Sequence, residues 1–155
     1  MSTGHVQERL DRLLRDLSSE TVLLDQSVAE RLGLNPTDHK CLRFLVDAGA
    51  AVTAGQLATM ADLTTGVVTG ILDRLEQAGF ARRKRDANDR RQVLVEVRLA
   101  KVRREVFPIF DKLSRRMNAL AASYSRRELA TIMDFMEKAI AVSREYRSRI
   151  HRAAR

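Results

Sequence analysis

A dense group of basic residues is the feature of the sequence that most directly suggests a chemical role. Between Ala81 and Arg104 there are ten Lys or Arg residues and three Asp or Glu residues, a net +7 of the +8 carried by all 155 residues. Guanidinium and ammonium groups at this density bind phosphates, so a polyanion is the first partner to consider. Because the excess lies within 24 residues, it predicts a local site rather than a generally basic surface.

Other reactive residue types are sparse. Cys41 is the single cysteine, which excludes an internal disulfide and a thiolate zinc site. His5, His39 and His151 lack the close spacing of a metal cluster, and no nucleophile–base pair, carboxylate pair or glycine-rich phosphate loop stands out. No enzyme, metal or other cofactor is therefore predicted. We expect Cys41 to be buried and inert on an apolar helix face, and His39 to lie at the surface or at a junction.

The overall composition limits the class of protein. A chain of 155 residues with 45% hydrophobic and 31% charged residues corresponds to one domain, or to one domain with a long appendage. Two Pro and seven Gly favour long helices over a turn-rich β-sandwich. No apolar run approaches the roughly 20 residues of a membrane span, and the N-terminus lacks the apolar core of a signal peptide. We expect a cytoplasmic protein with no membrane partner.

Two helices precede the part of the chain that must position the basic residues. Apolar residues three and four positions apart predict a long amphipathic helix from about Val6 to Leu32, and Gly33 can close it. Asn35-Pro36 starts a second helix that ends near Gly49, because Asn is a good N-cap and Pro suits the first helical position.

A helix-turn-helix follows these two helices. Thr53 and Gln56 have the spacing of a capping box and predict a short helix to about Ala61, after which Thr64 caps a helix that runs to Ala78. One face of that second helix is apolar, with Val68, Ile71, Leu72 and Leu75. The opposite face has small residues and hydroxyls suited to base edges in a major groove, namely Thr65, Gly66, Thr69, Gly70 and Asp73.

A β-hairpin and two further helices complete the chain. The alternation of Val93, Val95, Val97 and Leu99 predicts a strand that pairs with residues 81–85 across a turn at 86–89, which makes a wing. A helix over Lys101–Ser123 contains Pro108, which kinks it or marks a late start. Ser125 and Glu128 form a second capping box, and the last helix runs to about Arg149. The predicted fold is mainly α with a small β-hairpin wing.

The stretch LTTGVVTGILDRLEQAGFARRKRDANDRRQVLVEV, residues 63–97, resembles the recognition helix and wing of the MarR family (multiple-antibiotic-resistance regulators), which are bacterial winged-helix repressors. The order of the predicted elements matches that family along nearly the whole chain. The resemblance implies a sequence-specific transcriptional regulator, a repressor that binds a pseudo-palindromic operator in double-stranded DNA.

The resemblance also implies an obligate homodimer, whose N- and C-terminal helices interleave. It divides the chain into an N-terminal dimerisation helix (1–33), a winged helix-turn-helix domain (34–100) and C-terminal dimerisation helices (101–155). Apolar stripes outside the winged helix support this, because a partner is the simplest cover for them. The expected interface residues are Leu10, Leu13, Leu14, Leu17, Ile132, Phe135, Met136 and Ile140. A small phenolic or anionic effector is expected between the dimer helices and the DNA-binding lobes.

The expected DNA contacts lie on the second helix of the helix-turn-helix and on the wing. They are Thr64, Thr65, Gly66, Thr69, Gly70, Arg74, Arg83, Arg85, Asp89, Arg90 and Arg91. The resemblance implies that Asp89 braces Arg90 or Arg91 in the minor groove, where Arg reads narrow A·T-rich shape. On the helix, Arg74 binds phosphate or forms an ion pair within the chain, and Asp73 is repelled by phosphate or orients a nearby Arg.

Two other functions stay open on the sequence. One is a non-specific architectural DNA-binding protein, which the basic cluster alone would also support. The other is a thiol-based redox-sensing regulator that acts through Cys41.

Overall fold

The computed structural model describes residues 3–86 and 92–153. The elements in chain order are α1 (Thr3–Arg31), α2 (Pro36–Ala48), β1 (Val52–Thr53), α3 (Ala54–Ala61), α4 (Thr65–Gln77), β2 (Ala81–Arg85), β3 (Val93–Val97), α5 (Leu99–Glu105), α6 (Phe107–Ala121) and α7 (Arg126–Ala153). The predicted fold class, mainly α with a small wing, is confirmed.

The helix ends follow the local signals in the sequence. Asn35 caps α2 by accepting the backbone N–H of Asp38, and Gly49 ends the helix in the left-handed region at φ 64°. Thr53 and Gln56 form the predicted capping box of α3. Thr64 caps α4 through the N–H of Val67. These caps satisfy orphan backbone groups and fix where α3 and α4 begin, which sets the turn of the helix-turn-helix.

The wing is part of a three-stranded antiparallel sheet with strand order β1-β3-β2. Ala81 pairs with Val97 and Arg83 with Val95, as expected for a hairpin. The strand β1 was not predicted from the sequence, since two residues are too few to show alternation. The placement of Leu99 in a strand was wrong, because Leu99 begins α5.

The first of two compact units is Met1–Ile109. Its core consists of side chains from α2, α3, α4, α5 and the sheet, together with the end of α1. The four apolar residues of α4 predicted to face inward are fully buried, namely Val68, Ile71, Leu72 and Leu75. The core therefore holds α4 by one face and leaves the other face exposed.

The second compact unit is Phe110–Arg155. The helix α6 begins at Phe107 with Pro108 as its second residue, so this proline marks a late start after α5 rather than a kink. Ser125 and Glu128 form the predicted capping box of α7: the Ser125 N–H donates to the carboxylate at 2.8 Å, and the Glu128 N–H donates to the hydroxyl at 3.3 Å. Among the described residues, no helix is long and apolar enough to cross a bilayer.

Candidate nucleic-acid interface

The exposed face of α4 is called the reading face here and consists of Thr65, Gly66, Val67, Thr69, Gly70, Asp73 and Arg74. Gly70 is half-buried, and the other six residues are exposed. Val67 is 50% exposed, and sequence reasoning missed it because its neighbour Val68 carries the apolar periodicity. The reading face therefore combines small, hydroxyl and methyl-bearing groups at the start of a helix.

Packing among the described residues does not require the two glycines of the reading face. Within residues 3–86 and 92–153, a Cβ at Gly66 would meet nothing within 4 Å, and one at Gly70 would meet only Nη1 of Arg74 at 3.5 Å, an ordinary contact. Neither glycine has positive φ. Each glycine costs helix stability of up to about 1 kcal/mol relative to Ala. A molecule that binds closely to this face would offset that cost, because it needs the space that a Cβ would fill.

The hydroxyl groups of α4 are partly used within the helix. The Thr69 hydroxyl donates to the Thr65 carbonyl oxygen at 2.9 Å, and the Thr64 hydroxyl oxygen accepts the Val67 N–H at 3.4 Å. Thr69 is therefore left with acceptor capacity and a methyl group, while Thr64 acts as a cap. Base contacts from Thr69 would accept a hydrogen bond or touch a thymine methyl.

Arg74 forms an ion pair with a carboxylate from a different helix. Its Nε and Nη2 atoms donate to the two carboxylate oxygens of Asp38 at 2.8 and 2.7 Å. These hydrogen bonds raise the pKa of Arg74, so it stays charged. Of the two alternatives from the sequence, the structure shows the pair within the chain. A phosphate contact by Arg74 stays a prediction.

Arg83 connects the wing to α4, the helix that carries the reading face and is therefore named the reading helix. Its guanidinium pairs with Asp73 at 2.7 Å and with the carboxylate of Glu76, and it donates to the Thr69 carbonyl oxygen at 3.3 Å. The backbone N–H of Arg83 also donates to Glu76 at 2.6 Å. Asp73 thus orients a nearby Arg, one of the two roles considered for it. Because these contacts engage Nη1, Nη2 and the backbone N–H of Arg83, they favour a wing-fixing role, and its DNA contact stays a prediction.

The two faces of the hairpin differ in charge. Arg82 and Lys84 both pair with Glu96 on β3, and these hydrogen bonds lower the pKa of that carboxyl group. Arg85 lies on the opposite face, the same face as Arg83, and makes no ion pair with any acid in residues 3–86 or 92–153. Among the four basic residues of β2, Arg85 therefore differs in having no such pair in the described part of the chain, and its DNA contact stays a prediction.

Internal ion pairs reduce the free charge of the basic cluster. Besides the wing pairs, Lys101 and Arg104 pair with Glu105, just beyond the basic stretch. The expected contacts at Asp89, Arg90 and Arg91 lie outside the described residues. Several basic side chains of the cluster are thus paired with acids of the same chain. Fewer cationic groups than the net charge of +7 suggests are available to bind a polyanion.

Two residues considered for other chemistry are buried. Cys41 is fully buried, and burial raises the pKa of its thiol, so little of the reactive thiolate is present. Of the two places expected for His39, the surface was wrong, because its side chain is buried and the residue is 3% exposed. Burial lowers the pKa of His39, with Asp25 opposing and Arg43 adding to the shift. Neither side chain belongs to the reading face.

The residues that sequence reasoning missed are the acids that hold the arginines. Asp38 and Glu76 lie far from the basic cluster or outside it, and their partners follow only from tertiary placement. One weak signal existed for Asp38: it follows Asn35 by three residues at a helix start, which is where capping interactions bury polar groups.

Comparison with known proteins gives consistent matches. A model of the MarR family matches residues 34–93. The HTH-type transcriptional regulator YcgE of Bacillus subtilis is 38% identical over 154 residues, 97% of this chain and 99% of YcgE. A MarR family protein from Bacillus stearothermophilus has a similar structure, with TM-score 0.69 and 21% identity over 92% of this chain and 99% of that chain. A mutant of S. aureus MepR bound to an oligodeoxyribonucleotide has TM-score 0.59 and 19% identity, over 86% of this chain and 96% of that chain.

Proposed function

Since this chain belongs to the MarR family of transcriptional regulators, we propose that it is a ligand-responsive repressor that binds a pseudo-palindromic operator as a homodimer. The family consists of DNA-binding transcription regulators and not of enzymes. Operator, dimer, effector and repression are the parts that we propose. A regulator of this kind acts on the chromosome, and we place it in the cytoplasm.

One observation carries the proposal of direct base reading. The buried side chains Val68, Ile71, Leu72 and Leu75 pack α4 against the core, while the reading face has open space at Gly66 and small side chains around it. A helix in the major groove reads bases only when its outward face lies close to the base edges. We propose base contacts by Thr65, Gly66, Thr69 and Gly70, with phosphate contacts by Arg74 and Arg85.

The wing supplies the second proposed contact. Arg83 attaches β2 to α4 through its ion pairs with Asp73 and Glu76, and Arg85 lies on the same face of β2. We propose that Arg90 or Arg91, braced by Asp89, enters the minor groove. These contacts contribute affinity and register rather than base choice. Replacing Arg90 and Arg91 with Ala should weaken binding at every sequence and flatten its salt dependence.

Exposed apolar side chains support the proposed dimer. In the single chain, Leu10, Leu13 and Leu17 of α1 are exposed, as are Ile132, Phe135, Met136 and Ile140 of α7; Leu14 is half-buried. Apolar surface of this extent on a soluble chain marks an interface with another protein surface. A two-fold dimer then presents two reading helices to two half-sites of the DNA.

A small effector would control the repressor by favouring one spacing of the reading helices. We propose a phenolic or anionic compound, which must bind the DNA-incompetent spacing more tightly to release the operator. Its differential affinity for the two spacings sets the size of the response.

Footprinting on the DNA upstream of the gene for this protein tests the proposal. A repressor protects one discrete site, and we expect a preference of about a thousandfold or more for that site over random DNA. Uniform protection along the fragment would instead support a non-specific architectural protein. Both kinds of protein would bind more weakly as salt rises, so salt dependence alone does not separate them.

A further inference from the structure

We propose that Asp38 is a positioning residue for DNA binding, which holds the guanidinium of Arg74 so that its free Nη1 edge faces the DNA backbone beside Gly70. This inference rests on the proposed DNA-binding function and deepens it. It assigns a role in the interface to a residue of α2, which lies outside the helix-turn-helix.

The carboxylate of Asp38 is buried and accepts three hydrogen bonds from side chains. Its side chain is 2% exposed. Oδ1 accepts Nη2 of Arg74 at 2.7 Å, and Oδ2 accepts Nε of Arg74 at 2.8 Å and Nδ2 of Asn35 at 2.9 Å. The backbone N–H of Asp38 donates to Oδ1 of Asn35 at 2.8 Å. The first turn of α2 also stabilises a negative charge at this position. These contacts fix the orientation of the carboxylate toward the guanidinium of Arg74.

The pair leaves a defined part of Arg74 free. The side chain is 50% exposed, and within residues 3–86 and 92–153 its Nη1 atom has no hydrogen-bond acceptor. That atom lies 3.5 Å from where a Cβ of Gly70 would be. A larger residue at position 70 would extend across this edge of the guanidinium. Arg74 is therefore a cation with one edge anchored and the other turned toward the reading face.

Stability alone does not explain this arrangement. Removing a carboxylate from water is costly, and a neutral pair of similar shape commonly serves a fold as well or better. A purely structural pair would also be expected to bury the arginine, whereas half of this one is exposed. Anchoring strengthens binding by an arginine. A loose side chain loses rotamer freedom when it binds, whereas an anchored side chain has lost that freedom before binding. Bidentate pairing is what fixes the plane of the guanidinium.

The test uses the full-length homodimer and a duplex selected from a random pool, with binding measured over a range of NaCl concentrations. Asp38→Asn keeps the shape and the Arg74 charge but weakens the anchor. We expect its affinity for the selected duplex and for random DNA to fall by similar factors of about fivefold to tenfold, because a phosphate contact does not select bases, with the salt slope nearly unchanged. The double variant Asp38→Asn/Arg74→Met removes both charges without leaving a buried carboxylate unpaired. We expect its salt slope to fall by about 1 per protomer.

Arg43→Met is the matched control, because Arg43 forms an ion pair with Asp25, a residue of α1, away from the reading face. It should keep the wild-type salt slope and affinity. The inference is overturned if Asp38→Asn keeps the wild-type affinity, if the double variant keeps the wild-type slope, or if Arg43→Met lowers the slope equally. A wild-type protein that prefers no duplex would overturn the proposed function itself. Circular dichroism of the double variant confirms that these readings come from folded protein.

Discussion

Replacing Gly70 with Ala is expected to stabilise the protein and to weaken its binding to DNA. Gly70 lies inside α4 with helical backbone angles, and an added Cβ would meet only the end of a flexible side chain at 3.5 Å. The added methyl group therefore causes no clash within the chain. Removing a glycine from a helix interior gains about 1 kcal/mol in the free energy of unfolding. Chemical denaturation with far-UV circular dichroism measures this gain.

The same methyl group occupies space that the reading face needs for DNA. We expect the affinity for the selected duplex to fall about tenfold, which corresponds to about 1.4 kcal/mol. Fluorescence anisotropy with a labelled duplex measures this change. Because stability and affinity move in opposite directions, loss of binding cannot be attributed to unfolding. Gly66→Ala should act in the same direction, with a smaller gain in stability because Gly66 lies in the first turn.

Gly55→Ala provides the matched control for Gly66→Ala. Gly55 is the second residue of α3 as Gly66 is of α4, each follows a Thr cap, and a Cβ at Gly55 would meet only the Thr53 hydroxyl oxygen at 3.9 Å. The control should gain similar stability and keep its DNA affinity. If Gly66→Ala and Gly70→Ala both bind the selected duplex as tightly as wild type, α4 does not approach DNA closely and the reasoning is refuted.

Four further predictions concern other parts of the chain. Arg83→Gln should lower the free energy of unfolding by about 1 kcal/mol and weaken DNA binding, because it releases the wing from α4; urea unfolding and anisotropy measure both. The His39→Gln variant should lose less free energy of unfolding than wild type does when the pH falls from about 7.5 to about 5.5. Burial lowers the pKa of His39 in the folded protein, so the unfolded wild-type chain binds the proton more readily than the folded one. Leu13→Asp should shift the dimer to monomer in analytical ultracentrifugation while leaving the single chain folded, since Leu13 is 55% exposed there. Cys41→Ser should leave peroxide without effect on DNA binding, as in wild type, whereas peroxide-triggered release in wild type alone would support redox sensing.

Local sequence rules predicted the helix-turn-helix closely. Thr53 and Gln56 form the expected capping box, and Thr64 caps α4 as expected. Such signals act over three or four residues, and the sequence shows them directly. The apolar period of α4 likewise gave its buried face, and so separated the core side from the reading face.

Tertiary partners could not be predicted in the same way. Asp38 and Arg74 are 36 positions apart, and no local pattern relates them. The charge count of the basic cluster treated every Arg alike, although Arg83 is committed to α4 and Arg85 is not. Free and committed cations differ only in which carboxylates the fold brings near them. The short strand β1 was missed for the same reason, since pairing with Val95 and Leu94 is what defines it.

Selection from a randomised duplex pool with the full-length protein tests the proposed function most directly. A dimeric, sequence-reading regulator should enrich an inverted repeat whose half-sites lie about 10 base pairs apart, centre to centre. The enriched duplex should bind about a thousandfold or more tightly than random DNA. A pool that stays random after repeated rounds, with all duplexes bound equally, would contradict the proposal.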